Sequence, residues 1–216
     1  MLAFERKRTN PHVVLYALYL YFLGLSFRKV SSALDPFVKD GRSQSAVWQW
    51  VQRFEPHRVY DVKRIQAFLV DETYVKVGHF EAWVAVEPVH RYILGVYLSR
   101  HQNMIVAYIF LKSLIERYGK HVVYTDGGTW YPEACRALGL EHRLHSDYER
   151  SLVERTNEYL KDRIEDFDDY YPCMRGVGCD LAHVTNWLNL FVDMHYARRR
   201  HMTFSELVRF ESGGEP

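Results

Sequence analysis

The chain has 216 residues, of which 48% are hydrophobic and 15% aromatic, a composition that excludes a disordered protein and predicts one sizeable core with a small satellite domain. Its longest apolar stretch, residues 13–25, is shorter than the roughly 20 residues that cross a bilayer, so we expect a buried helix and no membrane partner. Three cysteines form no even disulfide framework, which favours a reducing, cytoplasmic compartment.

The net charge of +1 hides an asymmetry along the chain. Residues 1–70 carry a net charge of +6, and residues 71–216 carry a net charge of −5. A basic segment is typical of a surface that touches a polyanion, whereas an acidic segment can hold cations. A solvated basic face without a partner would give the same balance, so both interpretations stay open.

Three short helices are predicted in the first 55 residues. Apolar residues at 13–23 predict the first helix, which Gly24 ends. Ser26 is a candidate N-cap of the second, and Asp35 stops it because the residue before a proline disfavours the helical region. Ser43 is a candidate N-cap of the third helix, whose glutamines and arginine are expected to face outward.

The second and third helices, joined by a turn, are similar to a helix-turn-helix module. Gln and Arg side chains suit this module because they make bidentate contacts to base edges in the major groove. Compact three-helix units also serve as plain packing domains, and that alternative stays open. The candidate DNA-binding residues of this segment are Arg28, Lys29, Gln49, Gln52 and Arg53.

From residue 65 the hydrophobic period changes to that of strands. Three strands at 68–75, 81–86 and 92–98 have hairpin spacing and predict an antiparallel meander. The pattern then predicts a helix, a buried parallel strand that stops at a carboxylate, a second helix, a last strand and a third helix. These later elements are expected at residues 104–118, 121–126, 130–138, 142–144 and 151–165.

Asp71 and Glu72 interrupt the apolar run of the first strand. Aspartate is depleted in strands and costs free energy when it is buried uncompensated, so its charge needs an offset. A divalent cation provides one, because Mg²⁺ prefers carboxylate oxygens. The alternative is that an acid simply faces solvent from an edge strand. Strand alternation points Glu72 to the opposite face, which predicts a structural role for it.

Two further acids have comparable positions. Asp126 ends the buried parallel strand, and Glu154 lies near the start of the helix at 151–165. Lys161 follows Glu154 by seven residues, two helical turns, and so shares its face. An acid and a base on one face are most often a surface ion pair. The functional alternative is that Glu154 binds a metal and Lys161 reaches a phosphate beside it.

The order of these elements resembles the ribonuclease H-like fold of retroviral integrases and DDE transposases. Residues 70–75, 124–128 and 154–163 are similar to the three acidic blocks of insertion-sequence transposases of the IS6 type; they read VDETYV, YTDGG and ERTNEYLKDR. Residues 21–28 and 47–51 resemble that family's helix-turn-helix. The likeness covers nearly the whole chain, and the interval from acid to lysine makes the third block its most specific part.

The resemblance implies an α/β fold with a ribonuclease H-like mixed five-stranded sheet and flanking helices, preceded by a small all-α domain. We therefore expect a helix-turn-helix DNA-binding domain at 1–55, a linker at 56–64, a catalytic domain at 65–212 and a loose tail at 213–216.

The resemblance also implies a chemistry. Asp71, Asp126 and Glu154 are expected to be the catalytic residues and the ligands of two Mg²⁺ or Mn²⁺ ions, with Lys161 on DNA. The implied partners are double-stranded DNA, as the element's terminal inverted repeats and as target, and further copies of the chain in a homodimer or larger assembly. This activity implies association with the nucleoid.

One departure from the family pattern affects the third acid. Glu154 follows Asp126 by 28 positions, a shorter interval than is usual, and Glu149 and Glu158 compete with it for the role. Glu154 is preferred because Lys161 keeps the family's offset from it. The short interval motivates an alternative function, a catalytically inactive, transposon-derived DNA-binding protein.

Overall fold

The computed structural model describes residues 9–38, 41–53, 65–75, 79–165 and 181–200, with the backbone alone at 163–165 and 183. The predicted linker at 56–64 and the predicted tail at 213–216 lie outside these ranges. Two of the three cysteines, Cys173 and Cys179, also lie outside them. Among the described helices, none is long and apolar enough to cross a membrane.

Seven α-helices, one short 3₁₀ helix (Asp35–Phe37) and five strands are present in the described residues. The helices are α1 (Pro11–Phe22), α2 (Phe27–Leu34), α3 (Gln44–Arg53), α4 (Met104–Tyr118), α5 (Tyr131–Leu138), α6 (Asp147–Glu165) and α7 (Leu181–Arg199). The strands are β1 (Ala67–Val75), β2 (Phe80–Val86), β3 (Ile93–Ser99), β4 (Val122–Thr125) and β5 (His142–Leu144). They fall into two compact units, one built from α1–α3 and α7 and the other from the sheet with α4–α6.

The helix ends of the first unit follow the predicted capping residues. Ser26 Oγ accepts a hydrogen bond from the backbone N–H of Lys29 at 3.3 Å, and Ser43 Oγ accepts one from Ala46 at 3.2 Å. Gly24 follows α1 with a φ of 109°, a left-handed conformation that glycine adopts without a steric penalty. Local chemistry therefore sets where α2 and α3 begin.

Helix α7 packs against α1 and α3 in this unit. Trp187 is buried and its Nε1 donates a hydrogen bond to the hydroxyl of Tyr21 at 3.1 Å. Asn186 Nδ2 donates to the carbonyl oxygens of Val51 and Gln52, each at 3.4 Å. The predicted domain at 65–212 includes α7, whereas in the structure this helix packs with α1 and α3 in the first unit.

The second unit is a mixed five-stranded sheet in the order β3-β2-β1-β4-β5. β1 pairs antiparallel with β2, and β2 pairs antiparallel with β3, as the meander predicts. β4 runs parallel to β1, and β5 runs parallel to β4. This topology confirms the predicted α/β fold of the ribonuclease H-like class.

The pleat of β1 directs its two adjacent acids to opposite faces of the sheet. Asp71 lies opposite Val84 on β2, and Glu72 lies opposite Trp83. The side chain of Asp71 meets α6, whereas the side chain of Glu72 meets α5. Because successive residues of a strand alternate in direction, α6 and α5 cover different faces.

Candidate active site

Asp71 stands at the point where β1 leaves its parallel neighbour. The last residue pair between β1 and β4 is Leu69 with Tyr124. Asp71 lies two residues beyond Leu69, and Asp126 lies two residues beyond Tyr124. The parallel register therefore places both carboxylates at the same end of the β1–β4 pair. Residues 67–70 ahead of Asp71 are all buried, which fixes the strand that carries it.

Asp126 is held by the turn that follows β4. Its Oδ1 accepts a hydrogen bond from the backbone N–H of Gly128 at 2.9 Å. Gly127 between them has a φ of 95°, a conformation that an L side chain rarely adopts. The two glycines after Asp126 thus allow the tight turn that orients this exposed carboxylate.

Helix α6 brings an amide against Asp71. Asn157 Nδ2 donates a hydrogen bond to Asp71 Oδ2 at 2.8 Å, and the Asn157 side chain is only 5% exposed. Glu154 precedes Asn157 by three residues and Lys161 follows it by four, so all three lie near one face of the helix. Helix α6 therefore meets β1 at Asn157, one turn away from Glu154 and from Lys161.

Burial and neighbouring charges raise the pKa of Asp71 to about 6. Burial is the larger cause, and the negative charge of Asp126 adds to it. Glu154 raises the pKa further, whereas a hydrogen bond from the backbone of Glu72 and the charge of Lys161 lower it. Asp71 thus interacts electrostatically with each of the other three predicted site residues, Asp126, Glu154 and Lys161.

The described side chains do not form a group of metal ligands. Within residues 9–38, 41–53, 65–75, 79–165 and 181–200, no group of three or more His, Cys, Asp or Glu side chains is arranged to hold a metal ion. Glu154 is exposed on α6, as is Glu158. Glu149 serves as a helix cap, because its Oε2 accepts a hydrogen bond from the backbone N–H of Ser146 at 2.6 Å.

The predicted DNA-binding residues of the first unit lie on α2 and α3. Arg28 and Lys29 are exposed on α2, and Gln49 and Arg53 are exposed on α3. Gln52 differs from the expectation that it faces outward, since it is half-buried and its Oε1 accepts no hydrogen bond from the described residues. Gln52 is half-buried because of a tertiary contact: α7 packs against α3 at the backbone carbonyl of Gln52.

Glu72 has a buried partner on the other face of the sheet. Its Oε2 accepts a hydrogen bond from the hydroxyl of Tyr131, the first residue of α5. Burial raises the pKa of Glu72 to about 7; the bond from Tyr131 opposes this shift, and the charges of Asp71 and Asp126 add to it. Burial also raises the pKa of Tyr131. The opposite orientation predicted for Glu72 is what the structure shows.

Replacing Glu72 by glutamine should stabilise the protein above neutral pH. The folded-state pKa of about 7 lies above the ordinary 4.5, so folding favours the protonated form. The stability that Glu72 contributes is therefore complete below pH 4.5 and is lost as the pH rises through about 7. Glutamine still accepts from Tyr131 but carries no charge. Allowing for partial exposure, we expect a gain of ~1–2 kcal/mol at about pH 8.

Urea unfolding of Glu72→Gln and wild type across this pH range measures the effect. Glu116→Gln on the exposed surface of α4 is the control, and it should change the free energy of unfolding by less than ~0.5 kcal/mol. If the free energy of unfolding of Glu72→Gln does not rise relative to wild type between acid and alkaline pH, ionised Glu72 does not destabilise the fold and the prediction is wrong.

Three contributors to the site carry weaker sequence signals. Asn157 stands one helical turn after Glu154, a spacing that puts both on neighbouring rows. His145 comes directly after β5, its backbone N–H donates to Thr125 at 2.8 Å, and burial lowers the pKa of its ring. Tyr131 carries no motif that points to Glu72. Trp130, just ahead of α5, is half-buried and packs edge-on against Trp83, which favours a core role.

Comparison with protein families gives a match that covers more than half of the chain. A family model described as a DDE domain matches residues 65–201. That range includes Asp71, Asp126, Glu154 and Lys161.

Curated relatives match over most of their length. An uncharacterised protein of Methanocaldococcus jannaschii is 34% identical over 178 residues, which cover 78% of this chain and 80% of that protein. The transposase for insertion sequence element IS257 in transposon Tn4003 of Staphylococcus aureus is 26% identical over 200 residues, covering 83% of this chain and 87% of that protein.

Two solved structures are also similar. The catalytic core domain of BIV integrase has a TM-score of 0.44 and 18% identity, covering 58% of this chain and 80% of that one. A chain of the simian T-cell lymphotropic virus intasome, in complex with PP2A regulatory subunit B56 gamma, has a TM-score of 0.46 and 18% identity, covering 79% of this chain and 67% of that one.

Proposed function

Because this chain belongs to the DDE transposases of the IS6 type, we propose that it is an active transposase that nicks insertion-sequence ends and joins them to target DNA. The observation that carries the proposal is the surrounding of Asp71, a carboxylate on a buried strand whose pKa is raised to about 6 by burial and by Asp126. A perturbed carboxylate on the central strand of a sheet, where the parallel pairing ends and a second acid and a lysine act on its charge, is a candidate for catalysis.

The residues fit a divalent cation of the Mg²⁺ or Mn²⁺ kind. Asp71, Asp126 and Glu154 supply hard carboxylate oxygens. A cation would offset both the burial of the Asp71 charge and the repulsion from Asp126 and Glu154 that together raise the Asp71 pKa. These three residues would hold two ions. Ions so held would polarise a DNA phosphate and promote deprotonation of the attacking water or 3′-hydroxyl. No side-chain nucleophile is then required.

The chain's own residues have separate tasks in this proposal. The turn at Gly127 and Gly128 fixes Asp126, and α6 carries Glu154 and Lys161, whose charges act on Asp71. Lys161 would contact a phosphate of the DNA end, which would orient the scissile bond towards the carboxylates.

The first unit would hold the DNA. Arg28 and Lys29 would contact phosphates from α2, and the exposed Gln49 and Arg53 of α3 would meet base edges. The substrate would be the terminal inverted repeats of the element and a target duplex in nucleoid DNA. Joining requires two ends in one complex, so the active form would be a homodimer or a larger assembly.

An end-joining assay tests the proposal. The purified chain is incubated with Mg²⁺ or Mn²⁺, labelled duplexes that carry the inverted repeats flanking its gene, and a supercoiled target plasmid. We expect nicked ends first and joined products later, and neither when the metal is chelated. A chain that binds the repeats but releases no nicked strand in either metal would refute the catalytic proposal.

A DNA-binding protein without catalysis is the second candidate. The interval of 28 residues between Asp126 and Glu154 favours it, as does the lack of a three-ligand group among the described residues. The same assay separates the candidates, because repeat binding without cleavage is the result that this one predicts.

Replacing Lys161 by glutamine should weaken binding of end DNA and lower the salt dependence. Loss of one phosphate contact reduces the slope of log affinity against log salt by about 1. Lys112→Gln is a matched control, because Lys112 lies on α4 and pairs with Glu116 at 3.8 Å. Fluorescence anisotropy at several salt concentrations measures both variants, and equal slopes for the two would contradict a phosphate contact by Lys161.

A further inference from the structure

Asn157 connects α6 to the strand that carries Asp71. Its Nδ2 donates to Asp71 Oδ2 at 2.8 Å, across 86 positions of sequence, and its side chain is 5% exposed. A hydrogen bond to a carboxylate that is shielded from water is stronger than the same bond at the surface. The contact therefore restrains the orientation of the Asp71 carboxylate.

The other end of the Asn157 amide is buried without a donor. Its Oδ1 accepts no hydrogen bond from any residue that the structure describes. A buried acceptor without a donor costs free energy, whereas an apolar side chain of similar shape would not. Among the described residues, the bond from Nδ2 to Asp71 is therefore the contact that accounts for an amide at this position.

We propose that Asn157 is a positioning residue for Asp71, which fixes this carboxylate in the orientation that binds a divalent cation. The inference rests on the proposed function. The hydrogen bond from Asn157 Nδ2 limits rotation of the Asp71 side chain. Less conformational entropy is therefore lost when the cation binds.

Side chains that hydrogen-bond to a metal ligand and orient it affect metal affinity. Their loss typically lowers metal affinity or activity ~10–100-fold. In this arrangement Asn157 does not touch the cation, and it acts through Asp71. The Oδ1 atom remains as a buried acceptor beside the site, suited to a water molecule in the shell of the cation.

A plain structural tether between α6 and β1 makes a different prediction. Loss of a tether would lower the resistance of the chain to unfolding and leave metal affinity unchanged once the chain is folded. Loss of a positioning residue would lower the metal affinity of the folded chain, whatever its effect on unfolding. Replacement by a near-isosteric apolar residue separates the two.

The test compares Mn²⁺ binding to the full chain, wild type against Asn157→Leu, from the electron paramagnetic resonance signal of free Mn²⁺. We expect ~10–100-fold weaker Mn²⁺ binding by the variant, under conditions in which its urea unfolding curve shows that the chain is folded. Thr156→Val is the matched control, because Thr156 Oγ1 bonds to Leu152 within α6 at 2.9 Å. The control should bind Mn²⁺ as the wild type does.

If Asn157→Leu does not fold, Asn157→Ser is tested instead. Its side chain is smaller, and its hydroxyl is too short to reach Asp71. Wild-type Mn²⁺ affinity in either folded variant would overturn the positioning role. Asp71→Asn identifies the site, because it should abolish the binding. A wild-type chain that binds no Mn²⁺, or an Asp71→Asn variant that binds it as well as the wild type, would refute the proposed metal site itself and this inference with it.

Discussion

Replacing Asp71 by asparagine should lower strand transfer by about 10³-fold or more, which corresponds to about 4 kcal/mol of transition-state stabilisation. The substitution removes the negative charge that would hold the cation and keeps the shape of the side chain. Its amide oxygen can still accept from Asn157 Nδ2, so the contact with α6 is retained. Activity should therefore fall while the fold persists.

Stability should change in the opposite direction. The folded-state pKa of Asp71 is about 6, above the ordinary 3.8, so the ionised carboxylate opposes folding at neutral pH. Its contribution to stability is complete below pH 3.8 and is lost as the pH rises through about 6. Above that pH, Asp71→Asn should unfold at the same or a higher urea concentration than the wild type. A loss of activity together with a gain of stability is the pattern of a functional acid.

The control for this prediction is Asp162→Asn, which neutralises an exposed acid on α6 beside Lys161. It should leave strand transfer within a few-fold of the wild-type rate. Retained strand transfer in Asp71→Asn, at the level of this control, would contradict the assignment of Asp71.

The same strand-transfer assay identifies which glutamate is the third catalytic acid. Glu154→Gln should lose activity to the extent that Asp71→Asn does, whereas Glu149→Gln and Glu158→Gln should retain most of it. Glu149→Gln should instead weaken the start of α6, since Glu149 accepts from the backbone of Ser146. If one of the two competitors is inactive and Glu154→Gln is active, the third ligand is that competitor.

Replacing Trp83 by alanine should destabilise the sheet unit by about 3–5 kcal/mol. Trp83 is fully buried on β2, and its Nε1 donates to Ser99 Oγ at 2.8 Å. Its ring packs edge-on against Trp130 and Tyr131, with ring centroids 6.4 and 5.8 Å apart. The substitution would leave a cavity beside the bond between Tyr131 and Glu72 and would loosen the strand pair that carries Asp71.

Hydrogen exchange of the amides in β1 and β2 measures this effect within the sheet unit. Trp83→Phe should cost less, about 1–2 kcal/mol, because it keeps the ring contacts and loses the bond to Ser99. Tyr148→Ala is the surface control, since Tyr148 is 56% exposed at the start of α6. Exchange rates in Trp83→Ala equal to those of the control would show that this ring does not support the sheet.

The sequence was sufficient for the elements whose signals are local. The predicted strand at 68–75 is observed as Ala67–Val75, and the caps at Ser26 and Ser43 are formed. Alternating apolar residues and capping side chains act within a few positions, which makes them readable in one sequence.

Two local predictions were incomplete for identifiable reasons. Helix α6 begins at Asp147, ahead of the predicted start at 151, because Ser146 and Glu149 form a capping pair. The spacing of Glu149 from Ser146 was the available signal for this earlier start. Gln52 is half-buried because α7 packs against α3, a contact between residues more than 130 positions apart that no local pattern predicts.

The candidate site combines both kinds of information. Asp71, Asp126 and Glu154 stand out by chemistry and by resemblance, whereas the bond between Asn157 and Asp71 depends on how α6 is seated on the sheet. The pairing of Tyr131 with Glu72 likewise joins elements 59 positions apart. Tertiary packing decides such contacts, and the sequence alone limits only which residues are able to make them.

Anomalous diffraction from crystals of the full chain grown with Mn²⁺ tests the central claim most directly. The account predicts anomalous peaks about 2.1 Å from carboxylate oxygens of Asp71 and Asp126, with Glu154 as a further ligand, and no such peaks in crystals of Asp71→Asn. Manganese bound elsewhere, with these three carboxylates uncoordinated in crystals that also contain the DNA end, would contradict the claim that they form one catalytic centre.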